Sequence, residues 1–281
     1  MIRVKYLFYS LLSVLILAPK SIAGDKQPAQ LSVLSYNIRL GEADDGTNSW
    51  KYRYPTSVMM IEDIKPDIFG LQEAYSYQRE YLDEYTKGYK SVGVGREDGK
   101  NKGEIMAIFY KTSRIKLLKW GTYWLSETPE KPSFGWDAAC MRTATWALLK
   151  DKKTGKKFFY INTHLDHVGR KAQENGLKLI VDRIGEMNPD NYPMVMTGDF
   201  NVSPDDHVLD GLKKKMKGAR ETAVSTDNSP TFNGWGKHFI VIDHIFYKGF
   251  DSCPVFKVIN KPYGDRTYIS DHYPVQAILI F

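Results

Sequence analysis

Residues that bind metals or transfer protons follow hydrophobic segments at six places in this 281-residue chain. The six clusters are Tyr36-Asn37, Leu71-Gln72-Glu73, residues 162–167, residues 197–201, Ile242-Asp243-His244 and Ser270-Asp271-His272. Alternation of apolar and polar residues, or a short apolar run, predicts a strand before each cluster. Because strand ends at one edge of a sheet converge in space, we expect the clusters to share one cleft.

The residue types in these clusters favour metal-assisted acid–base chemistry. The carboxylates of Glu73 and Asp271 and the side-chain carbonyl of Asn37 are hard oxygen ligands, which suit Mg²⁺ or Mn²⁺ better than zinc. The chain has two cysteines and no HExxH pattern, so the sequence offers no zinc motif.

Each cluster also has an ordinary structural interpretation. Glu73 before a loop is compatible with a helix cap, and Asp199 and Asn201 are compatible with turn residues. An Asp-His dipeptide such as Asp243-His244 is common and carries little information alone. The ordered set of six clusters, each after a predicted strand, is difficult to explain as turns and caps.

The remaining pattern predicts one domain over residues 24–281 with helices between many strands. The sequence predicts a helix that ends at Pro66 and a long helix between Asn162 and Pro193. The predicted strands cover 31–38, 68–71, 105–110, 115–118, 143–149, 158–162, 193–196, 239–247, 255–259 and 274–280. Several strands run consecutively from 105 to 162, which favours a mixed sheet or a pair of sheets over strict βαβ repetition. Lys213, Lys214 and Lys215 lie among apolar residues at helical spacing, which favours a solvated helix face over a nucleic-acid site.

The N-terminal residues 1–23 have the features of a signal peptide. Arg3 and Lys5 precede an apolar run that is short for a membrane span, and Ser21-Ile22-Ala23 supplies small residues for cleavage. An uncleaved membrane anchor is the alternative. Removal of residues 1–23 takes away three basic residues and no acid, so the formal charge falls from +6 to +3. The sequence predicts an exported protein, periplasmic or secreted, in a compartment that permits but does not require a Cys140–Cys253 disulfide.

The sequence resembles the endonuclease/exonuclease/phosphatase superfamily. The matching motifs are Tyr36-Asn37-Ile38, Leu71-Gln72-Glu73, Asn162-Thr163-His164, Gly198-Asp199-Phe200-Asn201, Ile242-Asp243-His244-Ile245-Phe246 and Ser270-Asp271-His272, in the family's order. The resemblance covers residues 30 to 281. It implies a four-layer α/β sandwich, in which two mostly antiparallel mixed sheets pack face to face with helices outside. It also implies metal-dependent hydrolysis of phosphoester bonds.

The resemblance further implies a role for each matched residue. Glu73 is a direct metal ligand with Asn37 beside it and Asp271 nearby. Asp199 positions or deprotonates the attacking water, and Asn201 orients that water and contacts the phosphate.

For the remaining matched residues, the resemblance implies that His272 pairs with Asp243 and that His164 donates to a phosphate oxygen. Arg142 matches a phosphate-binding arginine, although a surface salt bridge is an equal alternative.

Several further residues have open interpretations. Tyr110 is a candidate phosphate contact, with a plain strand end favoured, and His244 is expected to be a packing residue. Asp166 and His167 are candidates for support of His164 or for substrate contact. The loops 41–48, 121–136 and 227–238 are expected to shape the pocket, and Trp50, Trp124, Trp136 and Trp235 in or near them could stack on a base or sugar or pin the loops.

Three functions follow from these observations. The first is an exported Mg²⁺- or Mn²⁺-dependent phosphodiesterase or phosphomonoesterase that acts on a small or flexible phosphoester. The second is a secreted nuclease for DNA or RNA, which the absence of long basic runs disfavours. The third is a phospholigand-binding protein that has lost turnover. No stable protein partner is implied, and we expect a monomer.

Overall fold

The computed structural model describes residues 28–281, so the predicted signal peptide lies outside the described residues. In this part of the chain the strands are β1 (Gln30–Asn37), β2 (Ile68–Gln72), β3 (Tyr89–Val92), β4 (Ile108–Lys111), β5 (Ile115–Trp124), β6 (Thr143–Asp151), β7 (Lys157–His164), β8 (Met194–Asp199), β9 (Lys217–Gly218), β10 (Ser225–Thr226), β11 (Asp243–Lys248), β12 (Ser252–Val258) and β13 (Val275–Ile280). The helices are α1 (Trp50–Ile64), α2 (Ser76–Tyr85), α3 (Arg170–Met187), α4 (Asp210–Lys213) and α5 (Ala219–Thr222).

The strands form two mixed sheets. The first has the order β10-β12-β13-β1-β2-β4-β3, and the second has the order β5-β6-β7-β8-β11-β9. In the first sheet β1 is parallel to β2 and antiparallel to β13, and in the second β7 is parallel to β8 and antiparallel to β6. The two sheets therefore share one pattern, in which a central parallel pair is flanked by antiparallel strands.

Three apolar clusters place the sheets and helices in four layers. Residues such as Val33 of β1 and Phe158 of β7 pack together in the cluster between the two sheets. A second cluster joins α3 and α4 to the outer face of the second sheet, and a third joins α1 and α2 to the outer face of the first. Burial of both faces of each sheet supplies most of the stabilisation. The predicted four-layer α/β sandwich is confirmed.

The structure corrects several element boundaries. The predicted strand 105–110 begins only at Ile108, because Ile105 makes isolated bridges to Ala74 and Gly95 instead. The predicted strand 239–247 begins at Asp243, since Ile240 pairs with Phe232 in an isolated bridge. The predicted loop 121–136 begins inside β5, which runs to Trp124.

Five elements, α2, α5, β3, β9 and β10, were absent from the sequence prediction. The helix predicted around Lys213–Lys215 is present but short, and those lysines are exposed. Both cysteines carry free thiols, with Cys140 half-buried and Cys253 buried. In residues 28–281 no helix has the length and hydropathy needed to cross a membrane.

A buried amide bridge joins the two sheets next to the polar strand ends. Gln72 of β2 donates from Nε2 to Oδ1 of Asn162 on β7 at 2.7 Å, and Asn162 Nδ2 donates to the Leu71 carbonyl at 2.6 Å. Gly70 permits this approach, because a Cβ there would lie 2.4 Å from Asn162 Oδ1. The bridge fixes the relative position of the sheets where the candidate site lies.

Candidate active site

The predicted site residues meet at one edge of the two sheets. β1, β2, β7 and β8 end there, and Asp243 at the start of β11 lies opposite Asp199 in register. The edge carries a cleft of about 610 Å³. Seven of the nine predicted residues line it: Glu73, Arg142, His164, Asp199, Asn201, Asp271 and His272. The other two, Asn37 and Asp243, are buried behind them.

Two of these residues adopt backbone conformations that are unfavourable for L-amino acids. Glu73 has a φ of 61° and Asn201 has a φ of 52°. Each is held by hydrogen bonds: Glu73 Oε2 accepts from the Leu40 N–H at 2.8 Å, and the Asn201 N–H donates to Asp199 Oδ1 at 2.9 Å. Strain of this kind persists where the surrounding structure imposes it, and it is common at functional sites.

A buried chain of charged groups runs from Asp243 through His272 to Asp199. His272 Nδ1 lies 2.9 Å from Asp243 Oδ2, and its Nε2 lies 3.6 Å from Asp199 Oδ2. Burial alone lowers the pKa of His272, but the charges of Asp243 and Asp199 outweigh it and raise that pKa to about 10. His272 is therefore a cation at neutral pH.

Asp199 is a strongly perturbed carboxylate of the cleft. It is almost fully buried, and burial raises its pKa to about 7, with His272 opposing and Asp243 reinforcing the shift. A pKa in this range suits a group that accepts a proton from water. His164 Nε2 lies 3.5 Å from Asp199 Oδ2 and 3.0 Å from Asn201 Nδ2. Burial and then the charge of Arg142 lower the pKa of His164 well below its ordinary value, so His164 is neutral.

The donor set fits a divalent cation. Carboxylate oxygens of Glu73 and Asp199 lie within 4.8 Å of each other, and Asp271 lines the same cleft. Burial raises the pKa of both Asp199 and Asp271, which reflects an excess of buried negative charge that a cation would stabilise. Asn37 differs from the expected arrangement: its Nδ2 donates to Glu73 Oε1 and Asp199 Oδ2 at 3.0 Å each.

The carbonyl of Asn37 is occupied elsewhere, since Oδ1 accepts from the Arg39 N–H at 3.0 Å. In this structure Asn37 thus orients the carboxylates with its amide group. Ser270 fixes the same region, because its Oγ donates to the Asn37 backbone carbonyl at 2.8 Å.

Arg142 is buried in the cleft wall rather than paired at the surface. Its Nε lies 3.4 Å from Asp166 Oδ2, and its Nη2 lies 3.1 Å from His167 Nδ1. Asp166 and His167 therefore support Arg142. Burial raises the pKa of Asp166, but hydrogen bonds from the backbone N–H groups of residues 168 and 169 outweigh burial. The net pKa of Asp166 is about 2.

Two residues of the cleft were missed by the sequence analysis. Glu104 is buried, and its Oε2 lies 2.8 Å from Arg96 Nη1, 3.9 Å from Arg142 Nη1 and 4.0 Å from His164 Nδ1. Arg39 is held by Asp45 and places Nη1 3.4 Å from Asp271 Oδ2. Glu104 lies outside every motif, whereas Arg39 follows Tyr36-Asn37-Ile38 directly, which is the one signal that pointed to it.

The other candidates have structural roles. Tyr110 is buried in the cluster between the sheets, away from the cleft. His244 packs on Phe200 with ring centroids 5.4 Å apart, and its Nε2 lies 2.9 Å from the Val202 carbonyl oxygen, as expected for a packing residue. Of the four tryptophans, Trp235 lines the cleft.

Comparison with known proteins identifies the family. Residues 34–272 of the chain match the Endonuclease/Exonuclease/phosphatase family. The chain belongs to this family, whose members are hydrolases of phosphoester bonds and generally depend on a divalent metal. The protein is thus a hydrolase that acts on phosphoester bonds.

Three solved structures define its relatives. A mannosyl-6-phosphatase from Bacteroides thetaiotaomicron is 36% identical, with a TM-score of 0.85 over 89% of this chain and 100% of that chain. Another endonuclease/exonuclease/phosphatase family protein from Bacteroides thetaiotaomicron is also 36% identical, with a TM-score of 0.84 over 91% and 99%. D. rerio TDP2 in complex with a single strand DNA product is 16% identical, with a TM-score of 0.71 over 90% and 100%, and shares the fold alone.

Proposed function

We propose that the protein is an exported phosphomonoesterase, dependent on Mg²⁺ or Mn²⁺, that hydrolyses a small phosphorylated molecule. The observation that carries this proposal is the density of phosphate-binding groups in one cleft. Arg39, Arg142, His164 and His272 surround the carboxylate cluster, and three of them are cationic at neutral pH. A terminal phosphate carries more negative charge than a diester, so it gains more from such a cluster.

The cleft residues divide the reaction among them. Asp199 orients the attacking water and takes its proton as the oxygen approaches phosphorus, with Asn201 beside it. His272, held cationic by Asp243, stabilises the charge that develops on the phosphoryl oxygens, and neutral His164 donates a hydrogen bond to them. A cation held by Glu73 and Asp271 would reduce repulsion between nucleophile and phosphate and stabilise the leaving oxygen.

The size of the cleft and a relative with a named activity support a small substrate. A volume of about 610 Å³ is typical of sites for small molecules rather than of grooves for a polymer. The relative at 36% identity is named a mannosyl-6-phosphatase, whereas the neighbour solved with a DNA product shares the fold at 16% identity. We therefore favour a monoester over a nucleic acid.

A competition among phosphoester classes tests this proposal. Wild-type protein is assayed with sugar monophosphates, bis-p-nitrophenyl phosphate and plasmid DNA in Mg²⁺ or Mn²⁺. We expect monoesters to be hydrolysed at least about 100-fold faster than diesters, and Asp199→Asn to abolish the activity. Asp205→Asn, a change at an exposed carboxylate outside the cleft, is the control. Preferential cleavage of DNA would refute the monoester assignment and favour a nuclease.

Export is proposed from the sequence of residues 1–23 alone. The test is expression of the full chain in a Gram-negative host followed by fractionation. We expect periplasmic or extracellular protein with a mature N-terminus at Gly24. Retention of the whole chain in the membrane fraction would instead indicate an uncleaved anchor.

A further inference from the structure

The loop that carries Trp235 has a backbone that is costly to form. Trp235 has φ 59° and ψ 37°, and the flanking Gly234 and Gly236 also have positive φ. Asn233 holds the loop, because its Oδ1 accepts from the Trp235 N–H at 2.9 Å. A large L-residue rarely adopts this conformation, so its presence in the lining of the cleft indicates that the position of the indole matters.

The loop is attached to the backbone of a predicted metal ligand. The N–H groups of Asn233 and Gly234 donate to the Asp271 carbonyl oxygen at 2.7 and 3.1 Å. Asn233 Nδ2 also donates to the Ser270 carbonyl at 3.1 Å. These hydrogen bonds fix the backbone on which Trp235 stands relative to Asp271.

A buried arginine supports the ring. The guanidinium carbon of Arg53 lies 5.7 Å from the centroid of Trp235, within the range of a cation–π contact. Arg53 is fully buried and donates to the carbonyls of Ile38, Arg39 and Ile269 at 2.6, 3.1 and 3.1 Å. The indole thus has a rigid support while it remains half-exposed and lines the cleft.

Polar groups suited to hydroxyls lie in the same cleft. Asp45 accepts from Arg39 Nε and Nη2 at 2.9 and 3.0 Å, and both side chains line the cleft with Trp235. Each carboxylate oxygen of Asp45 keeps a further lone pair, and Arg39 keeps donors, so the pair can bind vicinal hydroxyls.

The other tryptophans singled out by the sequence do not share this position. Trp50 is 8% exposed and packs on Tyr81, and the Trp124 Nε1 donates to the Arg96 carbonyl at 2.6 Å. Trp136 does not line the cleft.

We propose that Trp235 is the platform for a pyranose ring in the leaving group of the substrate, with Asp45 and Arg39 binding its hydroxyls. This inference rests on the proposed phosphomonoesterase function and names its substrate class as a hexose phosphate. A pyranose has an apolar C–H face that packs on an indole and a rim of hydroxyls that requires polar partners, which is the combination this cleft offers.

Steady-state kinetics with three probes test the platform. The probes are mannose 6-phosphate, the acyclic glycerol 3-phosphate and the nucleotide AMP, and the variants are Trp235→Ala and Trp235→Phe. We expect Trp235→Ala to lower kcat/KM for mannose 6-phosphate by about 10- to 100-fold, mainly through KM, and by at least about tenfold more than for glycerol 3-phosphate. Trp235→Phe retains a ring and is expected to recover most of the loss.

The control variant is Trp120→Ala, at an exposed tryptophan of β5 outside the cleft. This substitution should leave kcat/KM unchanged for all three probes. Thermal unfolding of each variant checks that it is folded. Equal losses on mannose 6-phosphate and glycerol 3-phosphate, or a larger loss on AMP than on the hexose phosphate, would overturn the proposal.

A binding measurement separates this inference from the proposed function. Binding of mannose 6-phosphate in EDTA is measured by isothermal titration calorimetry, in wild type and in Trp235→Ala. Binding that depends on Trp235 without any turnover in metal would support the platform and refute the phosphomonoesterase. Turnover of glycerol 3-phosphate with no binding of mannose 6-phosphate would refute the platform and leave the phosphomonoesterase standing. Absence of mannose 6-phosphate binding together with absence of turnover would refute the platform and the phosphomonoesterase alike.

Discussion

Replacement of Asp243 by Asn should reveal how much the buried charge pair with His272 contributes to the fold. The substitution keeps the shape of the side chain and removes the charge 2.9 Å from His272 Nδ1. A hydrogen bond to a charged group contributes about 1.5–3 kcal/mol, so we expect a loss of about 2–3 kcal/mol at pH 6. For a domain of this size each kcal/mol lowers Tm by about 2–4 °C, which gives a decrease of about 4–12 °C.

The pH dependence of this loss has a defined sign. The pKa of His272 is raised to about 10, so its contribution to stability is complete below the unfolded value near 6.5 and is lost as pH rises toward 10. The Tm difference between wild type and Asp243→Asn should therefore be largest at pH 6 and smaller at pH 9.

Thermal unfolding of metal-free protein, followed by circular dichroism at both pH values, measures this difference. Asp205→Asn serves as the control, because Asp205 is exposed and outside the cleft. A Tm difference that is absent, or that grows from pH 6 to pH 9, would refute the assignment of His272 as a buried cation paired with Asp243.

Three other changes test separate parts of the structure. Asp166→Asn should lower the free energy of unfolding by about 2 kcal/mol at pH 7, because hydrogen bonds from two backbone N–H groups hold the pKa of Asp166 at about 2. In urea unfolding, the difference between wild type and variant should close as pH falls from about 5 to about 2. Gly70→Ala should destabilise by about 1–3 kcal/mol, since the new Cβ would lie 2.4 Å from Asn162 Oδ1, whereas Gly185→Ala in α3 meets no atom within 4 Å and should be neutral or stabilising. Mn²⁺ at about 100 times its Kd should stabilise the protein by about 2.7 kcal/mol, and Glu73→Gln should remove most of this effect in a calorimetric scan.

The sequence was most informative where chemistry and strand pattern coincide. The motif residues after β1, β2, β7 and β8 could be assigned to one cleft because parallel and antiparallel strands of two sheets end at the same edge. The fold class followed from the consecutive strands after residue 105 and from the family resemblance. These features depend on local pattern and on residue type, which a single sequence carries.

The missed elements depend on tertiary contacts. Helix α2 contains good helix formers, but Gln78 and Leu82 are its buried residues, so the sequence shows no apolar stripe there. Its tyrosine rings stack on one another and on α1, with the Tyr54 and Tyr81 centroids 4.9 Å apart. Strand β3 exists because it pairs with β4 at the edge of the first sheet. Neither contact is visible in the local sequence.

The missed site residues have the same explanation. Glu104 reaches the cleft from an irregular segment before β4. Its role in the cleft depends on Arg142 and His164, which are distant in the chain. The backbone of Arg39 turns into a left-handed conformation with φ 63°, which sends its side chain toward Asp45 and Asp271. Sequence spacing encodes neither geometry.

The most direct test of the central claim is phosphate release from p-nitrophenyl phosphate with Mg²⁺, Mn²⁺ or EDTA. The comparison is between wild type, Glu73→Gln and the exposed control Asp205→Asn. The proposed site predicts turnover in wild type and in the control with metal, none in EDTA, and a loss of at least about 100-fold in Glu73→Gln that excess metal partly restores. Turnover that survives EDTA, or that Glu73→Gln leaves unchanged, would contradict a metal-dependent phosphomonoesterase built on this cleft.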